Sequence, residues 1–215
     1  MHFAGYYRWL VYRHLFALPV PHATLLDIGT QDGSFLQQFA VQTSIVLDLR
    51  PDNLRHAPAS GAVCADATRM PFRAVQFDHV IVSDVIEHVE RDRALVANAT
   101  ACVRVGGTLW LSTTARQFRL FPGWITPYAE RGWGHVRRGY TPQQIYDLVG
   151  SDFACELVEW PERVFRHLYM AMWISERWMP ALARRIAAWC FACDSRLPRT
   201  NAQAGHLYAC ARRLR

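Results

Sequence analysis

Four carboxylates recur through the first half of the chain, each closing a short apolar run: Asp27, Asp48, Asp66 and Asp84. One such acid is ordinary. Four in succession meet in one place if the runs lie side by side as parallel strands, because such sheets bind ligands at the carboxyl ends of their strands. Acids there suit a ligand that offers hydroxyls, an amino group or a positive charge. Gly29 and Gly33 punctuate the loop after the first acid, where glycine lets backbone N–H groups approach a ligand closely. Acid–base groups follow in Asp84-Val85-Ile86-Glu87-His88, and a further histidine, His135, stands in a later loop. Histidine titrates near neutrality, so His88 and His135 are the candidates for a general base acting on a hydroxyl. Each also has a structural use, His88 in starting the next helix and His135 in pinning its loop. His79 alternates within an apolar run and reads as structural.

The elements that must position these groups follow from the apolar periodicity. Runs at Thr24–Ile28, Thr43–Leu49, Gly61–Ala67, Phe77–Ser83 and Thr108–Thr113 read as strands. Between them come a helical pattern on Phe35, Leu36 and Phe39, a short helix opened by Pro51-Asp52, and a helix over 91–103 that turns at Gly106-Gly107. Strands alternating with helices predict a doubly wound, mostly parallel α/β sheet with helices on both faces. Thr141-Pro142-Gln143-Gln144 is a helix start with Thr as N-cap, Pro at the first helical position and Gln three after the cap. A sixth strand is expected over 153–160, a helical insert broken near Pro180 over 164–195, and a last strand over 206–211. Residues 3–18 place apolar side chains at helical spacing, which predicts an amphipathic helix along one sheet edge, or a lid or membrane-surface helix.

Composition narrows the classes. The 215 residues are enough for one domain, 1–215, comprising the N-terminal helix (1–20), a long aromatic loop (115–140) and the helical insert. The net charge is +6 and all 24 basic residues other than His are Arg, yet no nucleic-acid signature accompanies them, so nucleic acid is not an expected partner. No apolar run reaches the roughly 20 residues of a membrane span, and Arg8 and Arg13 interrupt the only leader-like stretch. The expected location is cytoplasmic. Of six cysteines only Cys190 and Cys193 are spaced CxxC, with no second pair to complete a zinc site, so reduced thiols are expected.

With these residues in place, the chain resembles the class I S-adenosylmethionine-dependent methyltransferases over essentially its whole length. The resemblance rests on LLDIGTQDGSF, the acid of VLDLRPDNL, ADATRMPF, FDHVIVSDVIEHV, RVGGTLWLSTT and GHVRRGYTPQQI, in that order and spacing. It implies a seven-stranded sheet whose last strand inserts antiparallel beside the sixth, and S-adenosylmethionine as cofactor. It further implies that Asp48, with Leu49 beside it, receives the ribose hydroxyls, and that Asp66 and Ala67 meet the adenine. Asp27, Gly29, Thr30, Gln31 and Gly33 would shape the methionine loop, and Ser83 and Asp84 would lie near the sulfonium. Gln31 departs from the family, which usually has glycine there; a side chain at that point strains a loop needing positive φ.

Asp84, Glu87 and His88 fall at i, i+3 and i+4, so on a helix they would share a face and, with His135, offer a divalent ion its ligands. Ubiquinone and small-RNA 2′-O-methyltransferases are similar locally, but so are relatives without metal, and none is expected here. The implied activity is methyl transfer to an oxygen of a glycan, lipid-linked or secondary-metabolite acceptor. Trp173, Trp178, Trp189 and three methionines among the insert's arginines suit an apolar acceptor, a peripheral membrane contact or a homodimer. The rival functions are an inactive methyltransferase-like scaffold, supported by Gln31, and a nicotinamide-dependent oxidoreductase, which would leave Asp66 and DVIEHV without a role.

Overall fold

The computed structural model describes residues 3–17, 22–30, 35–118, 131–199 and 204–215. Seven strands form one sheet: β1 (Thr24–Ile28), β2 (Thr43–Asp48), β3 (Gly61–Cys64), β4 (Phe77–Ser83), β5 (Val103–Thr114), β6 (Phe153–Pro161) and β7 (Ala204–Arg213). Their spatial order is β3-β2-β1-β4-β5-β7-β6, with β7 antiparallel to both neighbours and the first five strands parallel. The order reverses between β1 and β4, which opens a crevice at the carboxyl ends of those two strands.

Alternate residues of the buried strands feed two cores. Leu26, Ile28, Leu47, Val80, Val82, Leu109 and Leu111 face α3 (Asp92–Cys102) and α4 (Pro142–Val149), where Leu95, Val96, Ile145 and Val149 complete that layer. Leu25, Val46, Ile81, Trp110 and Tyr208 face the opposite layer, made by α1 (Phe3–Leu15), α5 (Arg163–Ser175) and α6 (Pro180–Asp194). That second core is aromatic: Tyr12 stacks on Trp110 at 5.3 Å and meets Tyr208 edge-on at 5.1 Å. The short α2 (Pro51–Leu54) follows β2.

Four expectations need correction. The N-terminal helix covers a face of the sheet rather than an edge, because Tyr7, Val11 and Tyr12 bury completely against aromatic partners. Phe35, Leu36 and Phe39 belong to a 3-10 turn, Leu36–Gln38, and not to a full helix; Phe39 is already extended, and its ring packs on Trp9 and Trp110. Gly106-Gly107 is a bulge inside β5 and not a turn before it: Phe77 pairs with Val103 while His79 pairs with Thr108. Gly106 has φ +79, and a Cβ on Gly107 would stand 2.5 Å from the Asp78 carbonyl oxygen, so the bulge requires glycine. The third strand stops at Cys64, because the Asp66 carboxylate accepts the Thr68 N–H and caps a 3-10 turn at Ala67–Arg69. The other elements stand close to their expected places, including the Thr141 cap, whose hydroxyl and the Gln144 amide bond each other's backbone.

Candidate functional site

Strand register places the expected cofactor residues along one rim. Ile28 pairs with Leu47 on one side and Val82 on the other, so Gly29, Asp48 and Ser83 stand level, each one residue further on. Asp48 in turn pairs with Cys64, the last residue of β3, which sets Asp66 just beyond the same rim at the start of the following turn. Asp27 lies lower, opposite Val46 and Ile81, and is buried. Gly29 adopts φ +74 and donates its N–H to the Leu47 carbonyl at 2.7 Å. A Cβ there would stand 2.5 Å from Val85 Cγ2, so this turn presses directly on the segment leaving β4. Gln31 and Gly33 lie outside the described residues.

The rim fits a nucleoside with an amino-acid tail. Asp48 is buried, and its Oδ1 accepts the Arg50 N–H at 2.8 Å, which fixes the carboxylate at the strand end. Leu49 beside it is 69% exposed, an apolar face next to a carboxylate where a base and its sugar would lie. Asp66 is exposed; the Thr68 N–H bonded to it holds its carboxyl below the usual range. Thr30 Oγ1 is buried with no hydrogen-bond partner among the described residues, an orphaned group at the entrance of the glycine loop. Ser83 Oγ bonds Ser112 Oγ at 2.9 Å.

On the β4 side of the crevice the chain makes a sharp exit. Asp84 sits at φ +54, a left-handed backbone that a non-glycine residue holds at a cost of about 1 kcal/mol or more. Its N–H is tied to the Ser112 carbonyl at 2.9 Å. Instead of a full helix there is a 3-10 turn, Ile86–His88. Glu87 is buried, accepts the Thr113 hydroxyl at 2.9 Å, and is pushed up in pKa by burial and by the charge on Asp84.

The far wall is the loop expected to carry His135. Its residues 119–130 lie outside the described residues, but 131–140 is stapled to the β4 exit. Arg137 pairs with Asp92 and donates to the Val89 and Glu90 carbonyls at 2.8 and 2.9 Å. Tyr140 Oη donates to the Ile86 carbonyl and Asp92, and the Val136 N–H bonds the Glu87 carbonyl at 3.0 Å. The two histidines therefore come together, rings 4.6 Å apart and perpendicular, with Trp133 beside His135 and Tyr169 of α5 beyond it. His88 is exposed; burial, then the neighbouring His88, lowers His135 to about 4, so His135 is neutral near pH 7. Glu87, His88 and His135 offer ligand atoms all within 4.8 Å of one another, a donor set suited to a divalent ion.

Asp84 is not in that cluster. Its carboxylate ion-pairs with Arg8 of α1 and bonds His206 Nε2 at 3.1 Å, while His206 Nδ1 bonds the buried Glu162 at 2.8 Å. Burial opposes ionisation of Asp84, but Arg8 and His206 outweigh it and hold the carboxyl well below the usual range. Burial likewise opposes charge on His206, but Glu162 and Asp84 prevail and raise it to about 9. Arg8, Glu162 and His206 were invisible as site residues in the sequence. The one available signal was Arg8 itself, a cation between the completely buried Tyr7 and the buried Trp9. His79 hydrogen-bonds Thr108 within the sheet, as a structural residue would.

Comparison with known proteins agrees with this architecture. A methyltransferase-domain family model matches residues 26–111, the span from β1 through most of β5. Ubiquinone biosynthesis O-methyltransferase of Methylobacterium nodulans is 34% identical over 150 residues, covering 62% of this chain and 60% of that protein. The enzyme of the same name from Methylobacterium sp. strain 4-46 is 30% identical over the same length, so the chain spans about 60% of these curated relatives. A solved S-adenosylmethionine-dependent methyltransferase from Mesorhizobium loti superposes with a TM-score of 0.67 at 19% identity, covering 98% of this chain and 100% of that one. Phosphoethanolamine N-methyltransferase 2 of Haemonchus contortus, solved with S-adenosyl-L-methionine, gives 0.66 at 16% identity, covering 97% of this chain and 52% of that one. The matched segment is thus similar to a methyltransferase domain, and the seven-stranded fold is the one seen in solved S-adenosylmethionine-dependent methyltransferases.

Proposed function

We propose that residues 1–215 act as one domain that transfers a methyl group from S-adenosylmethionine to an oxygen of a small-molecule or lipid-linked acceptor. The observation that carries this is the rim itself: Gly29, Asp48 and Ser83 level at the switch point, with Asp66 just beyond. Asp48 would hold the ribose hydroxyls, Leu49 and Ala67 would flank the adenine, and Asp66 would receive its amino group. The orphaned Thr30 hydroxyl and the Gly29 turn would meet the methionine end, with Gln31 and Gly33 completing that loop. S-adenosylmethionine supplies a methyl group on a sulfonium whose leaving group is neutral, so placement contributes more than strong acid–base chemistry. Ser83 and Asp84 bound the crevice where the acceptor oxygen must approach in line. His88, exposed at that crevice, would accept the proton from the acceptor hydroxyl; His135, neutral and stapled in place, would orient it. The names of the Methylobacterium relatives favour oxygen as the acceptor atom.

A second reading of the same three side chains comes from their proximity. A divalent ion on Glu87, His88 and His135 would lower the pKa of an acceptor hydroxyl bound to it, with Asp84 kept out by Arg8. Elemental content of the purified protein, before and after dialysis against a chelator, separates the two.

The deciding experiment is calorimetric binding of S-adenosylhomocysteine, with Asp48→Ala as control and NADH as competitor. Micromolar-range binding lost in Asp48→Ala is the expected result. Binding of NADH instead would move the chain to nicotinamide chemistry. Cofactor binding without turnover on any acceptor would favour a scaffold.

A further inference from the structure

The α5–α6 hairpin leaves a surface that neither the cofactor nor the acceptor crevice uses. Ile174 near the end of α5 is 61% exposed, and Trp178 in the connecting turn is 71% exposed. Met179 and Leu182 continue the apolar surface onto α6, and Trp189, 55% exposed, follows Leu182 two turns along. Seven residues of helix are about 10 Å, so the patch runs along α6 and is not a single point. The opposite side of α6 is committed to the core through Ala183, Ala187, Cys190 and Asp194 at helical spacing.

The fully exposed charges that the hairpin itself contributes around the patch have one sign. Arg177 lies over the Trp178 ring at 4.7 Å, Arg185 is exposed one turn after Leu182, and Arg184 is exposed on the adjoining flank of the helix. The acids of the hairpin are withdrawn from this surface. Glu176 accepts the Phe3 N–H at 2.5 Å, and Asp194 is fully buried, accepting Tyr7 Oη, the Val164 N–H and the Phe165 N–H. Exposed Trp and aliphatic side chains interleaved with unopposed arginines fit the interfacial region of an anionic bilayer, where indole and guanidinium both sit at headgroup depth. No helix among the described residues is long and apolar enough to cross a membrane. The contact is therefore superficial.

We infer that the α5–α6 hairpin docks on an anionic lipid surface through Ile174, Trp178, Leu182 and Trp189, held by Arg177, Arg184 and Arg185. The placement gives the contact a use. Tyr169, on the same helix as Ile174 and about 8 Å before it along the axis, meets Trp133 of the site's far wall. A docked hairpin sets the acceptor crevice beside the membrane interface, within reach of a lipid-linked hydroxyl. The surface itself does not depend on the methyl-transfer assignment.

The test is co-sedimentation with vesicles of phosphatidylcholine alone and of phosphatidylcholine with 30% phosphatidylglycerol, at low and high salt. Binding at least tenfold stronger to the anionic vesicles, weakened by salt, is expected. Each arginine near such a surface is worth about fivefold, so Arg177→Gln with Arg184→Gln and Arg185→Gln should weaken binding about a hundredfold. Trp178→Ser with Leu182→Ser should weaken it at least tenfold. Thermal melting of each variant checks folding without reference to any cofactor. Two results overturn the inference: vesicle binding absent or unchanged in both variants, or a dimer in sedimentation velocity that Trp178→Ser with Leu182→Ser dissociates, which would make a second copy the occupant.

Discussion

His206 gives the sharpest physical test of the crevice. It is buried between Glu162 and Asp84, bonded to each, and its pKa is raised to about 9 against about 6.5 in an unfolded chain. A group raised on folding contributes stability that is complete below the unfolded pKa and is lost as pH rises through the folded one. Between those values the loss approaches about 1.36 kcal/mol per pH unit, so from pH 6.5 to 8.5 this group should remove about 2 kcal/mol of stability. For a chain of this size that lowers the melting temperature by about 4–8 °C. The assay is calorimetric or circular-dichroism melting from pH 6 to 8.5, wild type against His206→Gln. Stopping at 8.5 matters, because buried Cys190 and half-buried Cys155 and Cys210, whose thiols burial pushes up to about 11–12, also cost stability above it. Wild type should fall with pH, whereas His206→Gln should lose that fall and rise slightly up to about pH 7.5, because His135, lowered to about 4, gains stability as pH passes its unfolded value. A flat wild-type profile would refute the charged imidazolium. It would assign a neutral ring, with Nε2 accepting from Arg8 Nη2, which stands 3.1 Å away.

Two further substitutions probe elements that hold the site. Gly29→Ala places a Cβ 2.5 Å from Val85 at φ +74, and should cost about 1–3 kcal/mol and weaken S-adenosylhomocysteine binding at least tenfold; unchanged calorimetric affinity would separate this turn from the ligand. Asp194→Ala removes the acceptor for Tyr7 Oη and for the Val164 and Phe165 N–H groups that open α5. Leaving buried donors unsatisfied should cost about 3 kcal/mol or more and lower the melting temperature by about 6–12 °C; a drop under 3 °C would mean the helix start finds other acceptors.

The parallel half of the sheet was readable because each strand is an apolar run closed by a polar residue, a pattern set by local sequence. The rim from Gly29 to Asp84 follows directly, since parallel register aligns strand ends whose runs are of similar length. Bulges and turns were harder. Gly106-Gly107 looks the same in one dimension whether it ends a strand or bends one, and only the pairing of Phe77 with Val103 and of His79 with Thr108 chooses. Phe35 and Phe39 have helical spacing, but contacts with the α1 aromatics select a 3-10 turn and an early return to extended chain.

The places of Asp27, Asp48 and Asp66 at or just past strand ends, the Gly29 turn and the Thr141 cap were determined by the sequence, since each depends on its own backbone or its immediate neighbours. The ion-pair chain Arg8–Asp84–His206–Glu162 was decided by tertiary structure. Its members are separated by as many as 198 residues, and α1, β4, β6 and β7 meet only when the antiparallel insertion of β7 closes the sheet. The same is true of His88 and His135, which become neighbours through the Arg137 and Tyr140 staples on the β4 exit. Desolvation and opposed charge, which set the pKa values of Asp84, Glu87, His135 and His206, exist only in that assembled environment.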